Sequence, residues 1–221
     1  MKVLSIQVGA VQERGEGERP WRTGYYKSAV QGPVRVGDEN LEGDGQASRG
    51  AHGGPDRVVL AYSADHYPDW RAEMPAYAFP YGAFAENLTM AGLDENTVCI
   101  GDRHRIGEVV LEVSMPRSPC GFISRATGVE NLLERVRATH RYGWLYRVIQ
   151  QGSLEAGQEV VVEPGPHAGW TVARVFEVYT DAKSSTPTRV DDFRALIGAE
   201  RLATAWRERM EQALEKATAA R

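Results

Sequence analysis

The apolar residues of this 221-residue chain change their spacing once, at Gly165-Pro-His-Ala-Gly169. Before that point the apolar runs are short and divided by glycine-rich turns. After it they recur every three or four residues. A period near two marks strands and a period near 3.6 marks helices. The switch therefore predicts a mostly β domain over residues 1–165 and a helical extension over 166–221. In the first part Leu4, Ile6 and Val8 alternate on one expected strand face. Residues 57–62 and 97–100 are short apolar runs of the buried-strand type. Val109, Leu111 and Val113 alternate with Val110, Glu112 and Ser114 behind Gly107, and residues 157–162 give one more strand. Short strands with Gly-rich turns predict a barrel or a sandwich. Two helical pieces are expected between 131 and 148, where Leu132, Leu133 and Val136 stand at helical spacing and Tyr142-Gly143 breaks the run. In the extension, three apolar stripes predict a small three-helix bundle. They are Val172, Val175, Phe176 and Tyr179; Phe193, Leu196 and Ile197, stopped by Gly198; and Leu202, Trp206, Met210 and Leu214.

Charge excludes one class of partner. The 26 basic and 30 acidic residues leave a formal net charge of -4, which is wrong for a protein that holds polymeric nucleic acid through its phosphates. The first eight residues are too short and too polar for the core of a signal peptide, and no apolar run approaches the roughly 20 residues that span a bilayer. A cytoplasmic protein without a membrane partner is expected. In that compartment the two cysteines, Cys99 and Cys120, read as thiols and not as a disulfide.

Cys120 closes the segment Met115-Pro-Arg-Ser-Pro-Cys, directly after the longest expected strand. Pro116 and Pro119 fix the backbone, and Gly121 allows close approach. Arg117, three residues earlier, is a cation of the kind that lowers a thiol's pKa. A thiolate is a soft ligand for metals that accept sulfur. Locally the competing reading is a small buried hydrophobe, which is also the reading for Cys99 between Val98 and Ile100. His52 and Gly53 lie in a Gly-rich turn open to a ligand, or in a turn that simply needs glycine. Glu86 and Asn87 either bind a ligand or tie down a loop by hydrogen bonds. Residues 13–22, charged and Gly-rich, read as a mobile loop ahead of a lid. His66, His104, His140 and His167 show no metal-ligand spacing, and there is no P-loop, dinucleotide fingerprint or Gly-x-Ser-x-Gly elbow.

Taken in order, several segments resemble the MOSC (molybdenum cofactor sulfurase C-terminal) domain. They are Leu41-Glu-Gly-Asp-Gly-Gln-Ala47, His52-Gly-Gly-Pro-Asp56, Tyr81-Gly-Ala-Phe-Ala-Glu-Asn-Leu-Thr89, Gly101-Asp-Arg-His-Arg-Ile-Gly107, the segment ending in Cys120, and Gly143-Trp-Leu-Tyr-Arg147. The resemblance covers residues 1–165. The tail is similar to the extension of single-chain bacterial members of the hydroxylaminopurine-resistance type. Two departures stand out: Ala85 where the family usually has glycine, and Ser48-Arg49 where an aspartate and a variable residue are common. The resemblance implies a β-barrel around a pterin-bound molybdenum, with Cys120 as catalytic residue and metal ligand. It implies cofactor contacts from His52, Gly53, Glu86, Asn87 and Arg117, with Arg49 and Arg57 as lesser candidates for the cofactor's phosphate. The implied activity is reduction of N-hydroxylated compounds, such as N-hydroxylated nucleobases. The chain has no flavin motif and too few cysteines for a four-cysteine cluster, so electrons would come from a separate reductase or ferredoxin-like partner. The alternatives are a non-catalytic carrier of molybdenum cofactor, or of sulfur on Cys120, and a plain interaction module.

Overall fold

The computed structural model describes residues 1–15, 20–48, 50 and 53–219. Its main sheet has eight strands in the order β12-β8-β9-β10-β6-β7-β1-β4. These are β1 (Lys2–Val8), β4 (Ser28–Ala29), β6 (Val59–Ser63), β7 (Leu88–Ala91), β8 (Arg103–Ile106), β9 (Val109–Pro116), β10 (Trp144–Gln150) and β12 (Val161–Glu163). Only β6 and β7 run parallel; the other pairs are antiparallel. The far edges meet. Lys2 bridges Glu159, the Val3 amide donates to the Gln158 carbonyl (3.0 Å), and the Val160 amide donates to Met1 (3.1 Å). The sheet is thus a half-barrel whose open side is pinned by its first residues. Two short ribbons flank it: β2 (Gln12–Arg14) with β3 (Trp21–Thr23), and β5 (Val34–Val36) with β11 (Gly152–Leu154).

β9 is buried along its whole length. One face lines the barrel, and the other is covered by the helix Val172–Ala182. A strand covered on both faces loses the apolar–polar alternation, which is why Glu112 and Ser114 are buried despite their polarity. The Ser114 hydroxyl donates to carbonyl oxygens of Asp56 (2.6 Å) and Leu145 (2.9 Å). Glu112 accepts from Arg103 Nε (3.0 Å) and Arg147 Nη1 (2.9 Å). Arg147 also donates to Asp56 (2.8 Å) and to the Arg201 carbonyl (2.9 Å), so one guanidinium joins the Asp56 loop, the sheet and the C-terminal segment.

Three local expectations need correction. Leu4 does not share the buried face with Ile6: a register shift between Val3 and Ser5 turns Val3 inward and leaves Leu4 39% exposed. Residues 97–100 are turn, and Cys99 makes only an isolated bridge to Thr171. The second helical piece before residue 148 is a strand. The helix Leu132–Thr139 ends at His140 in the left-handed region, and β10 begins after Gly143. Gly143 has φ +77, and a Cβ there would lie 2.4 Å from the Ala61 carbonyl oxygen, so glycine lets β10 enter against β6. Trp144 and Tyr146 then point into the core while Leu145 and Arg147 do not, a period of two.

Three helices follow residue 170: Val172–Ala182, Val190–Ile197 and Thr204–Ala219. Val175, Phe193, Leu196, Trp206 and Met210 form their buried contacts, continuous with the barrel core. The stacked pair Tyr179–Trp206 (4.0 Å) joins the first of these helices to the last, and the pair Tyr142–Phe176 (3.8 Å) joins the first to the segment that leads into β10. Among the described residues, no helix is long and apolar enough to cross a membrane.

Barrel burial creates a pH dependence. His104 is fully buried, with Nδ1 2.6 Å from the Tyr146 hydroxyl, and burial pushes its pKa from 6.5 down to about 4. The folded chain keeps the imidazole neutral while the unfolded chain protonates it near its ordinary value. Its contribution to stability is therefore complete above pH 6.5 and is lost as the pH falls toward 4. This group alone is expected to remove ~3 kcal/mol of unfolding free energy across that window. Urea unfolding at pH 7 and at pH 4 should show most of that loss abolished in His104→Gln; the same loss in both proteins would refute the assignment.

Candidate functional site

β9 ends at Pro116, and the chain turns across the end of β10, where the Arg117 amide donates to the Gly143 carbonyl (3.1 Å). Pro119 is buried, and Cys120 follows on the surface, one turn before the helix Phe122–Thr127. The Cys120 carbonyl accepts from the Ile123 amide (3.1 Å), which fixes the turn. Exposure rules out the buried-hydrophobe reading of this cysteine. Cys99 is the partly buried one, and burial pushes its thiol pKa up.

Cys120 borders a cleft of about 280 Å³. Leu60 and Leu145 supply its apolar floor, the segment from Arg22 to Lys27 one wall, and the segment from Asp44 to Ser48 another. The described lining holds four basic side chains, Arg22, Lys27, Arg57 and Arg117, against one acid, Asp44. Asp44 is consumed locally. It pairs with Lys27 and accepts from the Gly9 amide (2.9 Å) and from Asn87 Nδ2 (3.0 Å). Burial lowers the Lys27 pKa, and Asp44 opposes that shift. Arg117 is the informative cation: its Nη1 is buried and, among the described residues, has no hydrogen-bond partner. Beside it Tyr25 donates its hydroxyl proton to the Ala83 carbonyl (2.9 Å); burial drives the phenol's pKa upward, and Arg117 works against that. A buried donor without a partner asks for an explanation, and an anion in this cleft supplies one.

The sequence candidates separate into three groups. Cys120, Asn87, Arg117 and the lesser candidate Arg57 come together in the cleft. Glu86 and Gly53 are buried and outside its described lining. Glu86, expected as a cofactor contact, is engaged by its own neighbours. Its Oε1 accepts from Tyr67 Oη, the Gly82 amide (2.7 Å) and Thr89 Oγ1 (2.9 Å), and its Oε2 accepts from the Phe84 amide (3.1 Å), so the carboxylate ties the loop to the helix before it and the strand after it. Burial nonetheless raises its pKa. His52 and Arg49 lie outside the described residues. Asn87 lines the cleft, and it ties down its loop as well: Nδ2 donates to the Gln7 carbonyl (3.2 Å) and Oδ1 accepts from the Leu60 amide (3.1 Å), joining β1 to β6.

Sequence reasoning missed Tyr25, Lys27 and the hairpin. Of the stretch 13–22, read as a loop, residues 16–19 lie outside the described residues, while Glu13 faces Arg22 and Arg14 faces Trp21 in the β2–β3 pairing. Trp21 of that hairpin meets Phe122 (5.4 Å between ring centroids), and the Arg125 guanidinium lies 4.2 Å over the Trp21 ring. No pattern announced this, because the partners are a hundred residues apart. Ala85, the departure noted above, lines the cleft with φ 60. Among the described residues no group of three or more His, Cys, Asp or Glu side chains could hold a metal ion, so the cleft offers a metal one sulfur and not a cage.

Residues 48–161 match the MOSC domain family. The chain is 35% identical over 206 residues to YflK of Bacillus subtilis (strain 168), covering 93% of this chain and 90% of YflK. It is 36% identical over 179 residues to a Gibberella moniliformis protein named Reductase, covering 80% of this chain but only 32% of that protein. The crystal structure of YiiM from Geobacillus stearothermophilus superposes with a TM-score of 0.78 at 25% identity, covering 96% of this chain and 98% of YiiM.

Proposed function

From the premise that the chain belongs to the MOSC domain family, we propose that it binds molybdenum cofactor in the Cys120 cleft and reduces N-hydroxylated compounds. The observation that carries this reading is the buried Arg117 Nη1, without a hydrogen-bond partner among the described residues, in the same cleft as the exposed Cys120. An anionic pterin ligand needs cationic donors, and a sulfur-accepting metal needs a soft one. Both are present, and the net excess of positive charge favours an anion. When bound, the cofactor supplies two-electron redox chemistry that amino-acid side chains lack.

The residues of the chain have separate tasks. Cys120 Sγ is the protein ligand. Arg117 Nη1, with Arg57 and Arg22, answers the anionic charge. Asn87 sets the floor by holding β1, β6 and Asp44 in register, and Leu60 and Leu145 limit water. Lys27 Nζ stores a proton against Asp44 in the cleft wall, and burial weakens its hold on that proton. Cleavage of the N–O bond consumes two electrons and two protons and releases water, leaving N–H where N–OH stood. A separate reductase or ferredoxin-like protein delivers the electrons. The name of the fungal relative is in keeping with this class of reaction.

Protein from cells competent in cofactor synthesis, supplied with a chemically reduced viologen and benzamidoxime, should form benzamidine at one equivalent per two electrons, with molybdenum near one atom per chain. No molybdenum and no pterin would overturn the reading. A persulfide on Cys120 by mass spectrometry, with no pterin, would put a sulfur carrier in its place.

A further inference from the structure

Cys120 and Phe122 border two recesses and not one. The first is the cationic cleft described above. The second is shallow, open to solvent, and lined by Cys120, Gly121, Phe122 and Arg125. The two differ in chemistry. The cleft gathers Arg22, Lys27, Arg57 and Arg117 around its walls. The shallow recess offers an aromatic face, a bare stretch of backbone and one guanidinium. Phe122 is 38% exposed and shares this recess with Cys120. Its ring meets Trp21 at an interplanar angle of 34°, and the Arg125 guanidinium lies over the Trp21 ring, so both neighbours hold Phe122 in place. Beside it, a Cβ built on Gly121 would meet nothing within 4 Å, so the space over Gly121 is open.

We propose that the recess formed by Gly121, Phe122 and Arg125 is a substrate subsite for planar aromatic N-hydroxylated compounds, separate from the anion-binding cleft and joined to it at Cys120. The inference rests on the functional reading above and adds what that reading leaves open: which molecules the site prefers and which residues choose them. A flat conjugated ring lies on Phe122 and fills the space over Gly121. Its N–OH group then points toward Cys120, at the junction of the two recesses. The Trp21–Arg125 pair holds Phe122 in place, so the β2–β3 hairpin acts as a positioning element. A compound with the same reacting group and no ring gains nothing from this wall. Phe122 is thus a specificity residue, and its effect belongs in KM for aromatic substrates.

Benzamidoxime and acetamidoxime test this, since they share the amidoxime group and differ by the ring. In cofactor-loaded protein, Phe122→Ala should raise KM for benzamidoxime about tenfold, the scale of one lost aromatic stacking contact. Its KM for acetamidoxime should change far less, so the ratio of the two KM values should shift about tenfold whatever the variant does to kcat or molybdenum content, and Phe122→Tyr should restore that ratio. A second readout needs no turnover. In protein labelled with 5-fluorotryptophan, the Trp21 resonance, assigned by its loss in Trp21→Phe, should shift on adding benzamidoxime and not on adding acetamidoxime. If KM changes equally for both compounds, or if the resonance ignores benzamidoxime, the subsite is wrong while the reductase reading stands. If neither compound is reduced by loaded wild-type protein, the reductase reading falls, and the fluorine shift alone still decides whether the recess takes a flat ring.

Discussion

A Cys120→Ala protein purified from cofactor-competent cells is expected to hold less than about a tenth of the wild-type molybdenum, because loss of a ligand costs at least as much as the 10- to 100-fold loss seen for the groups behind one. The fold should not suffer. Cys120 is exposed and the turn that carries it is fixed by backbone, with the Ile123 amide donating to the Cys120 carbonyl and prolines at 116 and 119. An exposed substitution of this kind changes stability by roughly 0.5 kcal/mol or less. Metal analysis, pterin fluorescence after oxidation, and a thermal melt on the same sample make the test complete. Full molybdenum in a well-folded Cys120→Ala protein would remove the cysteine from the centre of the site. Cys120→Ser, which offers oxygen in place of sulfur, should fall between the two because the softer donor suits a sulfur-accepting metal.

The largest effect on the fold is expected at Glu86. Glu86→Ala should lower the unfolding free energy by ~3–5 kcal/mol, since it leaves several buried donors without an acceptor at once. Those donors are two amides, Gly82 and Phe84, and two hydroxyls, Tyr67 and Thr89. Glu86→Gln keeps the shape but replaces an acceptor oxygen with an N–H₂ group that faces donors, so it should recover only part of the loss. Urea unfolding monitored by tryptophan fluorescence measures both. Cofactor content at equal folded concentration separates stability from binding: a Glu86→Gln protein that folds yet binds no pterin would return Glu86 to the group of cofactor contacts.

The parts of the fold that were legible in the sequence are those whose pattern is local. The apolar run from Val109 to Val113 behind Gly107 announced β9, and the stripe Leu202, Trp206, Met210 and Leu214 announced the last helix, because both signals lie in consecutive residues. Failures came where a distant partner decides. Nothing between Val3 and Ser5 signals the register shift that turns Leu4 outward; the shift is set by pairing with β7. The run from Trp144 to Val148 satisfies a helical spacing as well as a strand, and the choice is made by β6 and β9 on either side. The site divides in the same way. Cys120 and Arg117 share one short segment and were found together. Asp56 and Arg147 were noticed as motif residues, but their purpose is mutual: they pair across the sheet and are joined to Glu112. Lys27 and Trp21 gave no sign, because a lysine or a tryptophan in an irregular stretch acquires its role only when Asp44 or Phe122 is brought to it.

Ala85 gives the cleft a property that bears on how such a protein changes over generations. An alanine with a left-handed backbone is held at a cost of roughly 1 kcal/mol, and glycine in its place would lose that strain while gaining freedom in the unfolded chain of similar size. The two effects nearly cancel. The exchange of alanine for glycine is therefore almost silent for folding, yet it adds or removes one methyl group from the wall of the cleft. Few positions lining a binding cleft allow its capacity to drift without a test of stability. This one does, and it sits directly before the two residues, Glu86 and Asn87, whose hydrogen bonds keep the remainder of the wall from drifting with it.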